Sequence, residues 1–550
     1  AIARIENNTL APQPENFEQF TQLIKNFALT VSQTIKSPTK LAQMMAGKAK
    51  LMADVIEKSL THDDEQGTRS QIKQQMLSFQ QMLIHDIDNK SFADIYAQTI
   101  AYGMFAARYH DSTLPTFSRM EAAELIPKSN PFLRKLFQDI AGFDLDIRLT
   151  WIVDELVSIF LASNVADIMK NFGRSTKQED PVVHFYETFL AEYNPALRKA
   201  RGVWYTPQPI VNFIVRAVDD VLKSEFNLPQ GLADTSKTKI KKKAVTQVGT
   251  GANSKIKNVE TEVEVHKVQI LDPATGTGTF LAEVVKHIYK KFEGQQGIWS
   301  KYVTNDLIPR LNGFELLMAS YAMAHLKMDM LLTETGYKPT DDQRFKIFLT
   351  NSLEEAHPDT QTLFSSWLSD EADQANAIKR EAPVMVVMGN PPYSGESANK
   401  GEWIMNLMED YKKEPGGKEK LKERNPKWIN DDYVKFMRFG QHFIDKNGSG
   451  ILAFINPHGF LDNPTFRGMR WNLLKTYDKI YTIDLHGNSK KKETAPDGSI
   501  DQNVFDIMQG VSINLFIKTG KKKKNELGKL FNYDLYGKRE FKYDFLKNNS

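Results

Sequence analysis

Val268-Gln269-Ile270-Leu271-Asp272-Pro273-Ala274-Thr275-Gly276-Thr277-Gly278-Thr279-Phe280-Leu281-Ala282-Glu283 is the stretch from which the fold is read. A short apolar strand runs into a Gly-x-Gly turn, and a helical pattern begins directly behind it. Strand, Gly-rich turn and helix N-terminus together bring bare backbone N–H groups up to a ligand that carries a nucleotide or a carboxylate. The dinucleotide fingerprint asks for a third Gly three positions after Gly278, where Leu281 stands, so NAD is disfavoured. A ligand with adenosine at one end and an amino-acid carboxylate at the other fits better, and S-adenosylmethionine (SAM) answers that description. Asp272, Ala274, Thr275, Gly276, Gly278 and Phe280 are the expected contacts.

Working outward, Leu311 to Glu315 reads as a second strand, with Glu315 placed to take both hydroxyls of a ribose or simply to cap a helix. Phe345 to Leu349 reads as a third strand ending in Thr350-Asn351-Ser352, where Asn351 and Ser352 are placed either to touch an adenine or to form a turn. Gly450 to Pro457 is a fifth strand ending on the same rim. Polar groups at several strand ends support one another, because open parallel sheets gather ligands at the carboxyl ends of their strands. From about residue 196 the alternation of strand, loop and helix predicts an α/β fold, preceded by an all-α domain.

Asn390-Pro391-Pro392-Tyr393 follows the apolar run Val384 to Met388 and one Gly. An amide, a carbonyl without a neighbouring N–H and an aromatic ring thus meet at the mouth of a buried strand. The exocyclic amine of adenine is a poor nucleophile because its lone pair is conjugated into the ring. The Asn390 side-chain oxygen and the Pro391 carbonyl are two acceptors able to hold both amine hydrogens and turn the nitrogen toward attack, with Tyr393 stacking on the ring. Read alone, the same four residues also fit a Pro-rich turn.

In that order, Asp272 to Phe280 and Asn390 to Tyr393 resemble the gamma-class amino-methyltransferases that modify adenine N6 in DNA, which implies the Rossmann-like mixed sheet of a SAM-dependent methyltransferase behind the all-α domain. The resemblance extends to Gly202-Val203-Trp204-Tyr205-Thr206-Pro207, ahead of a helix from Ile210 to Leu222, and implies that Tyr205 and Thr206 hold the methionine end of SAM. Asn390 belongs to both the catalytic and the cofactor set. Leu461 to Arg470, Ile483-Asp484-Leu485-His486-Gly487-Asn488, Asn503 to Ile507 and Gly510 to Ile513 are similar to the methyltransferase part of Type ISP restriction–modification enzymes such as the LlaGI-like ones. There one polypeptide carries a nuclease, an ATP-dependent translocase, a helical coupler, the methyltransferase and a target-recognition domain. The similarity covers roughly residues 200 to 520, more weakly the helices before them, and implies that Phe505 helps hold a flipped base.

The chain has no Gly-x-x-x-x-Gly-Lys-Ser/Thr phosphate loop and no convincing nuclease cluster. The expectation is therefore an excised piece, with motor and nuclease on the N-terminal side and a recognition domain after residue 520 missing. Expected partners are double-stranded DNA with a flipped adenine and SAM, the chain being a monomer; the expected activity is site-specific adenine methylation. Two alternatives stay open: methylation of a protein glutamine amide, which presents the same planar NH2, and a non-catalytic SAM-binding coupling module.

At 550 residues the chain is too long for one core. Residues 1–195 read as helical and coupler-like, 196–520 as the methyltransferase with a Lys-, Thr- and Gly-rich insertion at about 232–264, a mobile loop or hairpin, and 521–550 as a basic tail or the start of the missing recognition domain. Ser37-Pro38 opens one helix and Ser91 another. The net charge of +3 is small, its positive part clustered at Lys237 to Lys243, Lys490 to Lys492 and Lys521 to Lys524. Such runs usually form solvated faces; Lys490 to Lys492 is the best phosphate candidate. The absence of cysteine excludes disulfides and thiolate chemistry, and no histidine spacing points to a metal. The most apolar helical stretch, Trp151 to Met169, carries Asp154, Glu155 and Asp167 and does not span a bilayer, so a reducing cytoplasmic setting is expected. Ser394 to Asn425 follows the Asn-Pro-Pro-Tyr turn and is placed to close over a target base.

Overall fold

The computed structural model describes residues 3–6, 9–14, 17, 35–113, 115–141, 145–176, 181–194, 206–248, 255–339, 343–354, 363–395, 397–423, 426–523 and 525–549. Eight strands form one sheet: β1 (Gln269–Asp272), β2 (Leu311–Glu315), β3 (Lys346–Leu349), β4 (Val384–Gly389), β5 (Gly450–Pro457), β6 (Lys479–Asp484), β7 (Val511–Lys518) and β8 (Lys529–Asp534). Their order is β8-β6-β7-β5-β4-β1-β2-β3. β1 to β5 are mutually parallel, and β7 runs antiparallel to both β5 and β6. The chain leaves β1 for β2 on one side and reaches β4 on the other, so the order reverses at β1. That reversal opens a crevice beyond the carboxyl ends of β1 and β4, where both motifs sit.

Central strands are buried on both faces, which is why they read as unbroken apolar runs: every residue of β1, β2, β4 and β5 is buried. Alternate residues feed two cores. Ile270, Val386, Met388, Ile451 and Ala453 join one, while Leu271, Phe314, Val387, Leu452 and Phe454 join the other with Tyr433, Val434 and Met437 of helix Asp432–Asn447.

Ahead of the sheet lie helices Pro38–Gln66, Gln71–Met82, Asn89–Tyr109, Arg119–Leu125, Pro131–Ala141, Ile147–Leu161, Val165–Thr176 and Pro181–Tyr193. Ser37 caps the first by accepting from the Lys40 N–H. The helix expected to open at Ser91 opens earlier, because Asp88 is the cap and accepts from the Ser91 N–H at 2.7 Å. The stretch from Trp151 to Met169 is two helices: Asn164 accepts from the Asp167 N–H at 3.1 Å and starts the second. Among the described residues no helix is long and apolar enough to cross a membrane. A short hairpin, Ala3–Glu6 with Thr9–Pro12, also lies in the stretch read as purely helical. The helices share the first core with the sheet through helix Met318–Glu334, where Tyr321 meets Phe132 edge-on at 5.9 Å and Ser320 Oγ lies 3.1 Å from the Tyr186 hydroxyl.

The insertion is a two-stranded antiparallel arm, Lys237–Val248 paired with Lys255–His266. Its register sets Lys239 against Glu264 and Lys241 against Glu262, so the lysines alternate along a strand opposite acidic residues. Among the described residues after 520, a strand and a helix pack back onto the sheet and its flanking helix. β8 pairs in parallel with β6, and helix Arg539–Asn548 returns to helix Gln208–Phe226, where Arg216 donates to the Leu546 carbonyl at 2.6 Å. Lys542 on that returning helix is fully buried and pairs with the equally buried Asp501 at 2.7 Å, also donating to the carbonyls of Leu485 and Gln502. Asp501 takes the N–H groups of Gly487 and Gly537 as well. Replacing Lys542 with Ala strands that carboxylate without its cation and is expected to cost about 3–5 kcal/mol, measured by urea unfolding. Lys542→Arg is the control that keeps the charge.

Candidate active site

At the carboxyl end of β1 the chain turns through Gly276 and Gly278, both at positive φ (56° and 81°), a conformation glycine adopts without a Cβ penalty. The Thr275 side chain donates back to the Asp272 carbonyl at 3.0 Å, its N–H reaches the Phe314 carbonyl at 3.0 Å, and helix Thr279–Tyr289 begins after Gly278. Glu315, at the end of β2, ties this turn to its neighbour. One carboxylate oxygen accepts from Gly276 N–H at 2.7 Å; the other accepts from the N–H groups of Leu316 and Leu317 at 3.0 and 2.8 Å. A ribose diol at this carboxylate would therefore have to share or replace the Gly276 bond.

Asp272 is buried, with one oxygen taking the Ala274 N–H at 3.1 Å and the other, Oδ2, without a hydrogen-bond partner. A buried orphan acceptor beside a Gly-rich turn is a mark of a ligand site. Two glycines let the turn pack closely against the neighbouring strands: a Cβ on Gly389 would lie 2.7 Å from Asp272 Oδ1, and one on Gly313 would lie 2.6 Å from Thr275 Oγ1. Burial pushes the Asp272 carboxyl up to about 8, against the Ala274 N–H and with help from the charge of Glu315. It pushes Glu315 up to about 7 against its three backbone donors.

Asn390 projects from the end of β4 and is held at both ends. Its Nδ2 donates to Thr206 Oγ1 at 2.9 Å, and its Oδ1 accepts from the Tyr393 hydroxyl at 2.5 Å. The Tyr393 hydroxyl also lies 3.2 Å from the Ile455 carbonyl at the end of β5, and burial keeps it well above its ordinary range, hence protonated and donating. Tyr393 thus orients the amide in this arrangement, and its ring meets Tyr433 edge-on at 6.4 Å. Pro391 is buried and Pro392 half-buried between them.

Other expected residues fall less directly. Tyr205 lies outside the described residues, as do Gly202 to Trp204. Phe280 is buried in the first core. Ser352 is buried and donates to the Pro273 carbonyl at 2.5 Å, so it braces the Gly-rich turn. Asn351 spends its NH2 group on Glu354 and Asn399, both at 3.1 Å, and its oxygen on the Leu353 N–H, so it braces loops. Phe505 is 4% exposed and belongs to the core, its backbone held by Asn503 and Arg539. A flipped base would reach that ring only if the loop rearranged.

Spacing along the chain also missed a cluster at the ends of β6 and β8. His458 Nδ1 meets Asp484 at 2.9 Å, while the two His486 nitrogens meet Glu493 at 2.8 Å and Asp534 at 3.0 Å. Donor atoms of His458, His486 and Glu493, and separately of Asp484, His486 and Asp534, lie within 4.8 Å of one another. Asp484 and His486 stand in a stretch already noted; Glu493 follows 7 residues after His486, while His458 and Asp534 are brought in from farther along the chain. Lys490 to Lys492 form an exposed turn beside this cluster.

The family model of the N-6 DNA methylases matches residues 177–229 and 254–470. No curated protein matches the sequence. Among solved structures, the Type ISP restriction–modification enzyme LlaBIII bound to DNA superposes with a TM-score of 0.66 at 21% identity, over 93% of this chain and 31% of that one. A DrdV–DNA complex gives 0.65 at 21%, over 98% and 45%. A nuclease-deletion mutant of the Type ISP enzyme LlaGI with a DNA substrate mimic gives 0.64 at 19%, over 97% and 38%. The fold is that of a methyltransferase. The chain belongs with the N-6 DNA methylases, and it shares its fold with the Type ISP restriction–modification enzymes LlaBIII and LlaGI. It spans less than half the length of each of those three structures.

The raised carboxyl of Asp272 sets a pH dependence whose sign is fixed. Its contribution to stability is complete below its ordinary value of 3.8 and is lost as pH rises through about 8. Thermal unfolding of the ligand-free protein is expected to show a midpoint that falls over that window, and Asp272→Asn should flatten the fall.

Proposed function

We propose that this chain binds SAM over the Gly276–Gly278 turn and transfers its methyl group to N6 of an adenine turned out of DNA. The observation that carries the reading is Asn390, its amide fixed between Thr206 and Tyr393, at the end of the strand next to the Gly-rich turn. The orphaned Asp272 Oδ2, the Glu315 carboxylate and the open space over Gly276 fit a polar ligand with hydroxyl and ammonium groups. When bound, SAM supplies an electrophilic methyl on a sulfonium.

The rest falls to the protein's own residues. Turning a base out of the duplex costs a few kcal/mol, offset by contacts in the pocket. Asn390 Oδ1 keeps a second lone pair beside the Tyr393 bond, and with the Pro391 carbonyl it holds the two amine hydrogens and aims the nitrogen. No strong base is needed, because the nitrogen becomes acidic only once methylated; positioning and fixed dipoles supply the rate. DNA as substrate is supported by the matching family and by the DNA complexes of the similar structures. Nuclease, translocase and target-recognition segments in the same polypeptide belong to this proposal.

Calorimetric titration with SAM, followed by transfer of labelled methyl to DNA, tests it. Asn390→Ala is expected to abolish transfer while changing SAM affinity by less than about threefold, since uniform binding is untouched. A large loss of SAM affinity instead would show the residue to be misplaced. Digesting the methylated DNA to nucleosides is expected to yield N6-methyl-2′-deoxyadenosine; label recovered in peptides would favour a protein glutamine amide as the acceptor.

A further inference from the structure

Asn390 and Pro391 are useful only while the backbone that carries them stays in register, and that backbone lacks ordinary ties. Pro391 and Pro392 have no N–H to donate, so hydrogen bonding from the chain resumes one residue after Tyr393. The tie found there comes from a residue that the sequence motifs leave unmarked. Asp431 occupies the cap position of helix Asp432–Asn447, where an Asp side chain normally bonds the first turn of its own helix. Here the contact with its own first turn, at the Tyr433 N–H, is secondary. Its two oxygens accept the N–H groups of Ser394 at 3.1 Å and Gly395 at 2.9 Å. Ser394 returns the bond: its hydroxyl oxygen accepts from the Asp432 N–H at 3.4 Å, at the start of the same helix. Two separate chain segments thus cap each other.

Around this exchange the same helix N-terminus serves the whole strap behind the clamp. Tyr433 sets its edge against Tyr393, Asp432 accepts from Asn399 Nδ2 at 3.0 Å, and Lys435 donates to Ser397 Oγ at 2.8 Å and to the Asn399 carbonyl. Asn399 in turn accepts from Asn351 at the end of β3, on the cofactor side of the crevice. Asp431 is 4% exposed, so water does not stand in for it readily.

We propose that Asp431 is a positioning residue for methyl transfer, bracketing the two N–H groups that follow Tyr393 and thereby holding the Asn390–Pro391 acceptors in line with the methyl donor. The inference rests on the methyltransferase reading above. A displacement on the order of 1 Å at such acceptors costs about 100-fold in rate, whereas SAM is held by other residues.

The test compares Asp431→Ala, Asp431→Asn and Ser394→Ala with the unsubstituted protein, in the full polypeptide, by single-turnover methyl transfer, SAM titration and thermal unfolding. Asp431→Ala is expected to lower the rate at saturating substrates by about 10- to 100-fold while SAM Kd stays within about twofold. Asp431→Asn, which keeps one accepting oxygen, should recover part of the loss, and Ser394→Ala, which removes only the returning bond, should lose less than Asp431→Ala. If Asp431→Ala does not fold, the Asn variant carries the comparison alone, and a rate equal to that of the unsubstituted protein overturns the proposal. It is overturned equally if the loss appears wholly as weaker SAM binding or as unfolding. Absence of transfer by the unsubstituted protein overturns the methyltransferase reading itself, an outcome distinct from transfer that survives Asp431→Ala.

Discussion

One hydrogen bond, from Gly276 N–H to the Glu315 carboxylate, joins the ends of the first two strands and orders much of the crevice. It requires Gly276 at a positive φ and a carboxylate buried at the end of β2. It also requires the turn to lie close over the second strand, which a side chain on Gly313 would prevent. Burying two carboxyl groups side by side is unfavourable, and the raised ionisation of Asp272 and Glu315 records it. Backbone donors satisfy Glu315 almost completely, while Asp272 keeps one oxygen unpartnered. The fold thus tolerates a locally unfavourable polar arrangement at the point where a polar ligand would relieve it.

A second arrangement, facing the first across the crevice, is built from amide and hydroxyl groups whose charge state does not change near neutrality. Thr206, the Asn390–Tyr393 turn and the Ile455 carbonyl come from three places along the chain and meet in one line of hydrogen bonds. The preceding helices reach this region directly. His85 lies against Glu354 at 3.1 Å, and Lys135 against Asp370 at 3.1 Å, so the helical part touches the loop and helix that follow β3. A helical layer packed on the rim of a catalytic sheet is physically able to pass displacement to it, because packed interiors deform little.

Much of this was legible residue by residue. The run from Val268 to Glu283 has the composition of strand, turn and helix, and the uninterrupted apolar runs at β4 and β5 declare strands covered on both faces. Less legible were pieces whose role depends on a partner far along the chain. Asn351 and Ser352 have the right chemistry for a ligand, yet their side chains brace neighbouring loops. Phe505 has the right chemistry for a base, yet its ring fills the core. Residues after 520 look like a basic tail because the lysines from 521 to 524 dominate the stretch and β8 behind them is a short edge strand with every residue exposed.

By itself the sequence determined the class of sheet and the two short motifs at its strand ends, since these depend on local chemistry: glycine where φ is positive, apolar runs where both faces are covered, prolines where no N–H is wanted. Tertiary structure alone decided which groups remain free to act. Asp431 is written as a helix cap and serves another segment, and His458, Asp484, His486, Glu493 and Asp534 converge from separate loops and strands. Hydrogen bonds of that kind are made by whichever partner the packed chain brings within reach, and spacing along the sequence carries no record of that distance.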